Sequence, residues 1–323
     1  MNKESIEFNG LFGKEMKNYI NYKHALGGYK NLDHSEIYYL HKLLDHLNSY
    51  DLEHIAISEE MTMSYIDLAS DFTVETQFKY ECRIRQFAKF LKNNGYKNIY
   101  IQYESRFKRN RTYTPYVFSH EEIINIIKTV DEYCPIRGDY DKFFYQTIFR
   151  LLYCTGMRIG EVLSLKPEDV DLANNVIAIC NGKGNVSRFI PFTDSVAKLL
   201  QNYNDQRFNV MEDYFFESLK GGKRSKSAVN TCFKKIVHRA GISQKEGIRI
   251  SVHSLRHTFA CHSLDKMIRE GRDPYNALPY LSIYLGHKNI QNTEYYLKLT
   301  EERFNEIIDA GHYIYENEEN NND

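Results

Sequence analysis

Apolar residues recur at threes and fours through most of this 323-residue chain, and one segment alone alternates like a strand pair around a turn. Ile37, Leu40, Leu43, Leu44 and Leu47 share one helical face, as do Ile84, Phe87, Ala88 and Leu91 before Gly95. Residues 176–180 and 186–192 instead flank Asn181-Gly182-Lys183-Gly184-Asn185, which reads as a β-hairpin with Lys183 at its tip. The expected fold is therefore mainly α with a small β-sheet or hairpin. At this length two domains are expected.

The helical pattern of the first hundred residues stops at residues 105–115, which contain Arg106, Lys108, Arg109 and Arg111, no acid, and a closing Pro115. This reads as an interdomain linker, either a solvated surface segment or one that lies along a phosphate backbone. Beyond it, Ser119 with Glu121 and Glu122 forms a helix start, and Ile123, Ile124, Ile126 and Ile127 supply an apolar face. A second helix is expected over about 140–154, closed by Thr155-Gly156, and a third from near Arg158 to Pro167. Farther on, Lys220, Lys223, Arg224 and Lys226 precede a helix expected at 227–240 that carries Lys234, Lys235, His238 and Arg239. That face is either simply solvated or turned toward a polyanion.

Composition removes several classes. Lys and Arg total 42 against 43 Asp and Glu, which argues against a histone-like polycation. Charged residues at 26% and apolar residues at 42% argue against global disorder. The polar opening and the lack of any run of 18 apolar residues give no sign of a signal peptide or membrane span, so a cytoplasmic location is expected. The six cysteines contain no Cys-x-x-Cys pair and read as reduced thiols.

Chemistry concentrates in four places. In His253-Ser254-Leu255-Arg256-His257, His253 and Arg256 are three apart and can present an imidazole and a guanidinium to one anion, or simply be structural. His253 and His257 have metal-ligand spacing, but no Glu follows His253 as in a zinc-protease helix, and no metal or other cofactor is expected. Thr155-Gly156-Met157-Arg158 places an arginine after a glycine turn with Glu161 one turn on. Leu285-Gly286-His287 is followed nine residues later by Tyr296, next to Tyr295; the spacing from His287 favours Tyr296.

In this order, these motifs resemble the tyrosine recombinase, or phage integrase, family from about Thr114 to Leu299, with a looser likeness before that. The resemblance implies a metal- and ATP-independent DNA strand transferase acting as a site-specific recombinase or integrase through a covalent 3′-phosphotyrosine. It implies a helical SAM-like core-binding domain over residues 1–104, the basic linker 105–115, a catalytic domain over 116–300, and a C-terminal helix with an acidic tail over 301–323. Arg158, Lys183, His253, Arg256 and His287 would surround the scissile phosphate, with Glu161 as a nearby acidic helper and Tyr296 as the nucleophile. Two fork-shaped guanidiniums suit the charge that builds on nonbridging oxygens. A phenol with a pKa near 10 needs cationic neighbours and a base such as His253, and the departing 5′ oxygen needs a proton, assigned to Lys183.

The same resemblance makes double-stranded DNA the partner, held by a C-shaped clamp, with the chain nucleoid-associated when bound. Arg106, Lys108, Arg109, Arg111, Lys223, Arg224, Lys226, Lys234, Lys235 and Arg239 become candidate DNA contacts. It further implies a homo-tetramer on two sites, accessory proteins, and a mobile element as the source. The segment 269–283 is longer than in compact family members. Residues 301–315 would either pack on their own domain or dock on a neighbouring protomer. The alternatives are a type IB topoisomerase-like relaxing enzyme and a catalytically inactive DNA-binding relative. Charge supports the DNA-binding reading: residues 1–103 hold 12 basic and 14 acidic side chains, residues 104–300 hold 29 and 21, and residues 301–323 hold one and eight.

Overall fold

The structure is a computed structural model that describes residues 7–26, 34–107, 115–133, 138–180, 187–206, 213–243, 248–287 and five positions between 293 and 299. It divides into two compact units, Met1–Thr112 and Tyr113–Asp323.

The first unit is built from helices Gly13–Ala25 (α1), His34–Asn48 (α2), Glu59–Asp67 (α3) and Val74–Asn93 (α4). Ser58 starts α3 by accepting a hydrogen bond from the Met61 amide at 3.1 Å, which satisfies a donor that no turn of helix can reach. The periodic residues Leu40, Leu43, Leu44, Leu47, Ile84, Phe87, Ala88 and Leu91 are all buried, together with Phe12, Met16 and Tyr65. Each large side chain so buried contributes about 2 kcal/mol, enough to give this unit a core of its own.

The second unit begins with His120–Glu132 (α5), whose Ser119 and Glu122 form a reciprocal capping box. Next come Asp139–Thr155 (α6), Ile159–Val162 (α7) and a short 3₁₀ turn, Pro167–Asp169. The strands Val170–Asp171 (β1), Val176–Ile179 (β2) and Arg188–Pro191 (β3) make an antiparallel sheet in the order β1-β2-β3, with Ile177 opposite Ile190 and Ile179 opposite Arg188. Asp194–Asp205 (α8), Lys226–Arg239 (α9), His253–Arg269 (α10) and Pro274–Leu285 (α11) follow. α10 packs on both α6 and α11. Phe144, Ile148, Phe149, Leu152, Phe216, Phe233 and Leu255 are fully or almost fully buried at the centre of the core.

Local structure departs from the sequence expectation in three places. The helix expected from Arg158 to Pro167 has a single turn, because it stops at Val162 before Pro167 opens the 3₁₀ turn. On α5 the buried positions are Ile123, Ile126 and Val130, a spacing of three and four, whereas Ile124 is exposed. β1 has no counterpart in the sequence pattern; two residues are too short to leave a periodic signature. The segment 269–283 folds into the end of α10, a turn and most of α11, where Asp273 caps the Asn276 amide at 2.9 Å and Pro274 occupies the first turn.

Candidate active site

Two helix ends and one helix start converge in the second unit. α6 ends at Gly156 with φ 58° and α11 ends at Gly286 with φ 66°, so both turn through left-handed glycines. A Cβ at Gly156 would lie 2.3 Å from the Phe259 ring, so this turn excludes side chains by contact as well as by backbone. Both turns leave carbonyls aimed into the space where α10 begins.

Arg256 fills that space. It is 2% exposed, and Nη1 donates to the Gly156 carbonyl at 2.7 Å while Nη2 donates to the Leu285 carbonyl at 2.7 Å and lies 3.0 Å from His287 Nε2. The negative ends of α6 and α11 therefore compensate a cation that has little access to water. Burial, then the proximity of Arg158, still lowers its pKa to about 10.

Arg158 stands in the turn before α7. Its backbone amide donates to Glu161 Oε2 at 2.9 Å, Nη1 donates to Oε1 at 2.9 Å, and Nη2 donates to the Gly286 carbonyl at 3.2 Å. Glu161 is thus the counter-ion and cap that orients the guanidinium. Burial alone would raise the Glu161 pKa, but hydrogen bonds from Arg188 and the Arg158 backbone bring it down to about 2. Arg188 is a site residue that the motifs do not single out. It donates through Nη1 and Nη2 to Glu161 at 3.2 and 2.9 Å and through Nε to the Tyr284 carbonyl at 2.9 Å. Its alternation with buried Ile190 on β3 places it on the core face, where a charge demands a partner; that signal is present in the sequence.

His287 follows the Gly286 turn. A guanidinium can only donate, so Nε2 accepts from Arg256, and Nδ1 carries the hydrogen that goes to Thr293 Oγ1 at 2.8 Å. Burial and the surrounding arginines hold its pKa near 4, so the ring is neutral. Tyr296 is 3% exposed among Ala260, Cys261, Leu264, Leu278 and Leu281. Its hydroxyl lies 3.0 Å from His257 Nδ1. Burial raises its pKa to about 12, opposed by the nearby Arg256.

His253 begins α10 and is exposed, with its ring edge-on to His257 at 4.6 Å between centroids. It opens onto a groove of about 580 Å³ that Lys234, Arg249, Asn230 and Thr231 also line. Arg249 joins the cations there without standing out in the sequence. Of the other proposed contacts, Lys223, Lys226, Lys234, Lys235 and Arg239 are exposed. Arg224 is a correction: its side chain is 9% exposed, pairs with Asp141 at 2.6 Å and stacks on Phe144 at 3.9 Å, so it braces the core and presents no free charge. Arg106 pairs with Asp67 at 3.0 Å in the first unit. Lys183, Lys108, Arg109, Arg111 and residues 301–323 lie outside the described residues. Among the described residues no helix is long and apolar enough to cross a membrane.

Arg158, Glu161, Arg256, His287 and Tyr296 thus meet around one point, joined by Arg188, His257 and Thr293. Two fixed guanidiniums with neutral imidazoles and a phenol beside them can hold a phosphoryl group and offer it an oxygen nucleophile. Comparison with known proteins points the same way. The tyrosine recombinase XerC of Oceanobacillus iheyensis is 28% identical over 238 residues, 71% of this chain and 72% of its own length. A putative integrase/recombinase, y4rB, of Sinorhizobium fredii is 30% identical over 205 residues, 60% of this chain and 64% of its own length. The aligned stretches thus span about two thirds of these relatives. Among solved structures, the XerH site-specific recombinase in a pre-cleavage complex with difH substrate shares the fold, with TM-score 0.64 and 17% identity over 92% of this chain and 95% of that one. The Tn1549 transposon integrase with transposon right end DNA gives TM-score 0.60 and 16% identity over 87% and 94%. The sequence profile of the phage integrase family matches residues 117–303, more than half of the chain, and this protein belongs to that family.

Proposed function

We propose that this protein is a site-specific DNA recombinase that cuts and rejoins strands through a covalent 3′-phosphotyrosine on Tyr296. The observation that carries the reading is the packing of the Tyr296 hydroxyl against His257, beside an Arg256 guanidinium already fixed by two helix C-termini. Arg158 and Arg256 hold the nonbridging oxygens of the scissile phosphate, and their charge offsets what builds up there in the transition state. His253, open to the groove, completes the phosphate cradle, and His287, anchored on Thr293, accepts from Arg256 and holds that guanidinium in place. Lys183 protonates the leaving 5′ oxygen. Glu161 and Arg188 keep Arg158 in place. The covalent intermediate conserves the phosphodiester, so rejoining requires neither ATP nor a metal.

Residues 1–104 act as a second DNA-holding domain, residues 105–115 as a basic linker, and residues 301–323 as an assembly element in a tetramer on two sites. Lys223, Lys226, Lys234, Lys235 and Arg239 contribute phosphate contacts. The protein works in the cytoplasm on DNA, and the longer 269–283 segment inclines the reading to a mobile element. The test incubates the protein with supercoiled plasmids carrying two, one or no candidate sites. Recombinant products that need two sites support the proposal; relaxation without recombination would favour a topoisomerase-like enzyme, and binding with neither would reduce the chain to a DNA-binding relative.

A further inference from the structure

The reaction proposed above requires that the Tyr296 proton leave, and the site contains several nitrogens that could take it. Arg158 and Arg256 are excluded, since a guanidinium has no acceptor. His287 is excluded because both its ring nitrogens are committed, Nε2 to Arg256 and Nδ1 to Thr293. His253, the base that the resemblance implies, is exposed and lines the groove, with its ring edge-on to His257. His257 is in direct contact with the phenol, Nδ1 lying 3.0 Å from its oxygen.

From this geometry we infer that His257 is the group that receives the Tyr296 proton when the phenol attacks the phosphate. The inference rests on the strand-transfer reading and names a residue that sequence spacing offers only as a metal ligand. A second observation separates it from a packing role. His257 Nε2 is buried and has no hydrogen-bond partner among the described residues, a cost that an apolar side chain of similar size would avoid. A neutral ring with its hydrogen on Nε2 leaves the Nδ1 lone pair facing the phenol.

The step balances simply. As the Tyr296 oxygen bonds to phosphorus, its hydrogen passes to Nδ1 and His257 becomes an imidazolium. The P–O5′ bond breaks, and the 5′ oxygen takes its proton from Lys183. On rejoining, the 5′ hydroxyl attacks the phosphotyrosine and gives its hydrogen back to Lys183, the P–O bond to Tyr296 breaks, and the imidazolium returns its proton to the departing phenol oxygen.

The surroundings explain why the transfer waits for DNA. Burial, then the proximity of His253 and Arg256 on α10 and of His287 beyond α11, lowers the His257 pKa to about 3. The phenol is held near 12 by burial, with Cys261 adding to it and Arg256 and Arg158 opposing. In the free chain the proton therefore stays on Tyr296. A phosphodiester anion docked on Arg158 and Arg256 offsets the cations that depress His257, so its basicity rises only when substrate is in place.

The experiment follows adduct formation in single turnover on a nicked DNA substrate that traps the phosphotyrosine. His257→Gly is expected to slow the step about 100-fold or more, the scale of a lost general base, with DNA affinity within twofold of the parent. Its rate should rise with pH above 7 where the parent is flat, and added free imidazole should restore it in proportion to imidazole concentration. Should the glycine variant not fold, His257→Gln applies the same test, because an amide oxygen holds the phenol hydrogen but cannot accept its proton, and the same loss is expected. A rate within threefold of the parent in either folded variant would overturn the inference. So would a loss in His257→Gly that neither pH nor imidazole relieves, which marks a purely structural role. Failure of the unaltered protein to form any adduct would instead overturn the strand-transfer reading, and this inference with it.

Discussion

Arg188 on β3 and Glu161 on α7 meet through two parallel hydrogen bonds of 3.2 and 2.9 Å, with their side chains only 7% and 6% exposed. The pair ties the hairpin strand to the turn that carries Arg158. Removing one partner of a buried pair leaves the other charge short of donors, so Arg188→Met should lower unfolding free energy by about 3 kcal/mol in urea titration. An unchanged midpoint would show that Arg158 alone satisfies the carboxylate.

Acid should destabilise the chain in two stages. His257 and His287 have folded pKa values near 3 and 4, below the ordinary 6.5, so their contribution is complete above pH 6.5 and is lost as pH falls toward 4. Glu161, held near 2 against 4.5, is lost only below pH 4.5. Each proton taken up preferentially by the unfolded chain adds a slope of about 1.4 kcal/mol per pH unit. Melting temperature followed from pH 7.5 to 4.5 should therefore fall, and should fall less steeply in His257→Gln.

Gly156 combines a positive φ with close packing against Phe259. Gly156→Ala should cost about 1–2 kcal/mol for the left-handed backbone and more for the clash. Because the Gly156 carbonyl accepts from Arg256, adduct formation should drop further than stability alone explains; equal effects on both would separate the turn from the chemistry.

The cations divide by burial. Arg224→Met should lower stability but leave the salt dependence of DNA binding unchanged, because its charge is spent on Asp141. Lys234→Ala with Lys235→Ala should leave folding intact and reduce the salt slope by about 0.9 for each phosphate that no longer has a lysine beside it. Binding titrations from about 50 to 300 mM salt, a range over which phosphate neutralisation dominates affinity, compare them.

Much of the arrangement is legible in the residues themselves. Helix faces at 37–47 and 84–91 are visible because a one-sided core imposes its period on the sequence. The pairing of Arg158 with Glu161 follows from a spacing of three after a glycine turn. The partners of Arg188 and Arg224 do not follow from sequence, because a charge's partner is set by tertiary packing: Glu161 lies 27 positions from Arg188, and Asp141 lies 83 from Arg224. His257 is visible as a residue but not as a neighbour of Tyr296, 39 positions away. Ile124 is apolar enough for the core, yet helix geometry turns it outward.

Peptide mapping of the trapped adduct reads the proposed bond between Tyr296 and DNA itself. The protein is reacted with a nicked substrate, digested with protease and nuclease, and the nucleotide-bearing peptide is sequenced by mass spectrometry. A 3′-phosphonucleotide is expected on Tyr296, and no adduct from Tyr296→Phe. A nucleotide on Tyr295, or an adduct that persists in Tyr296→Phe, would contradict it.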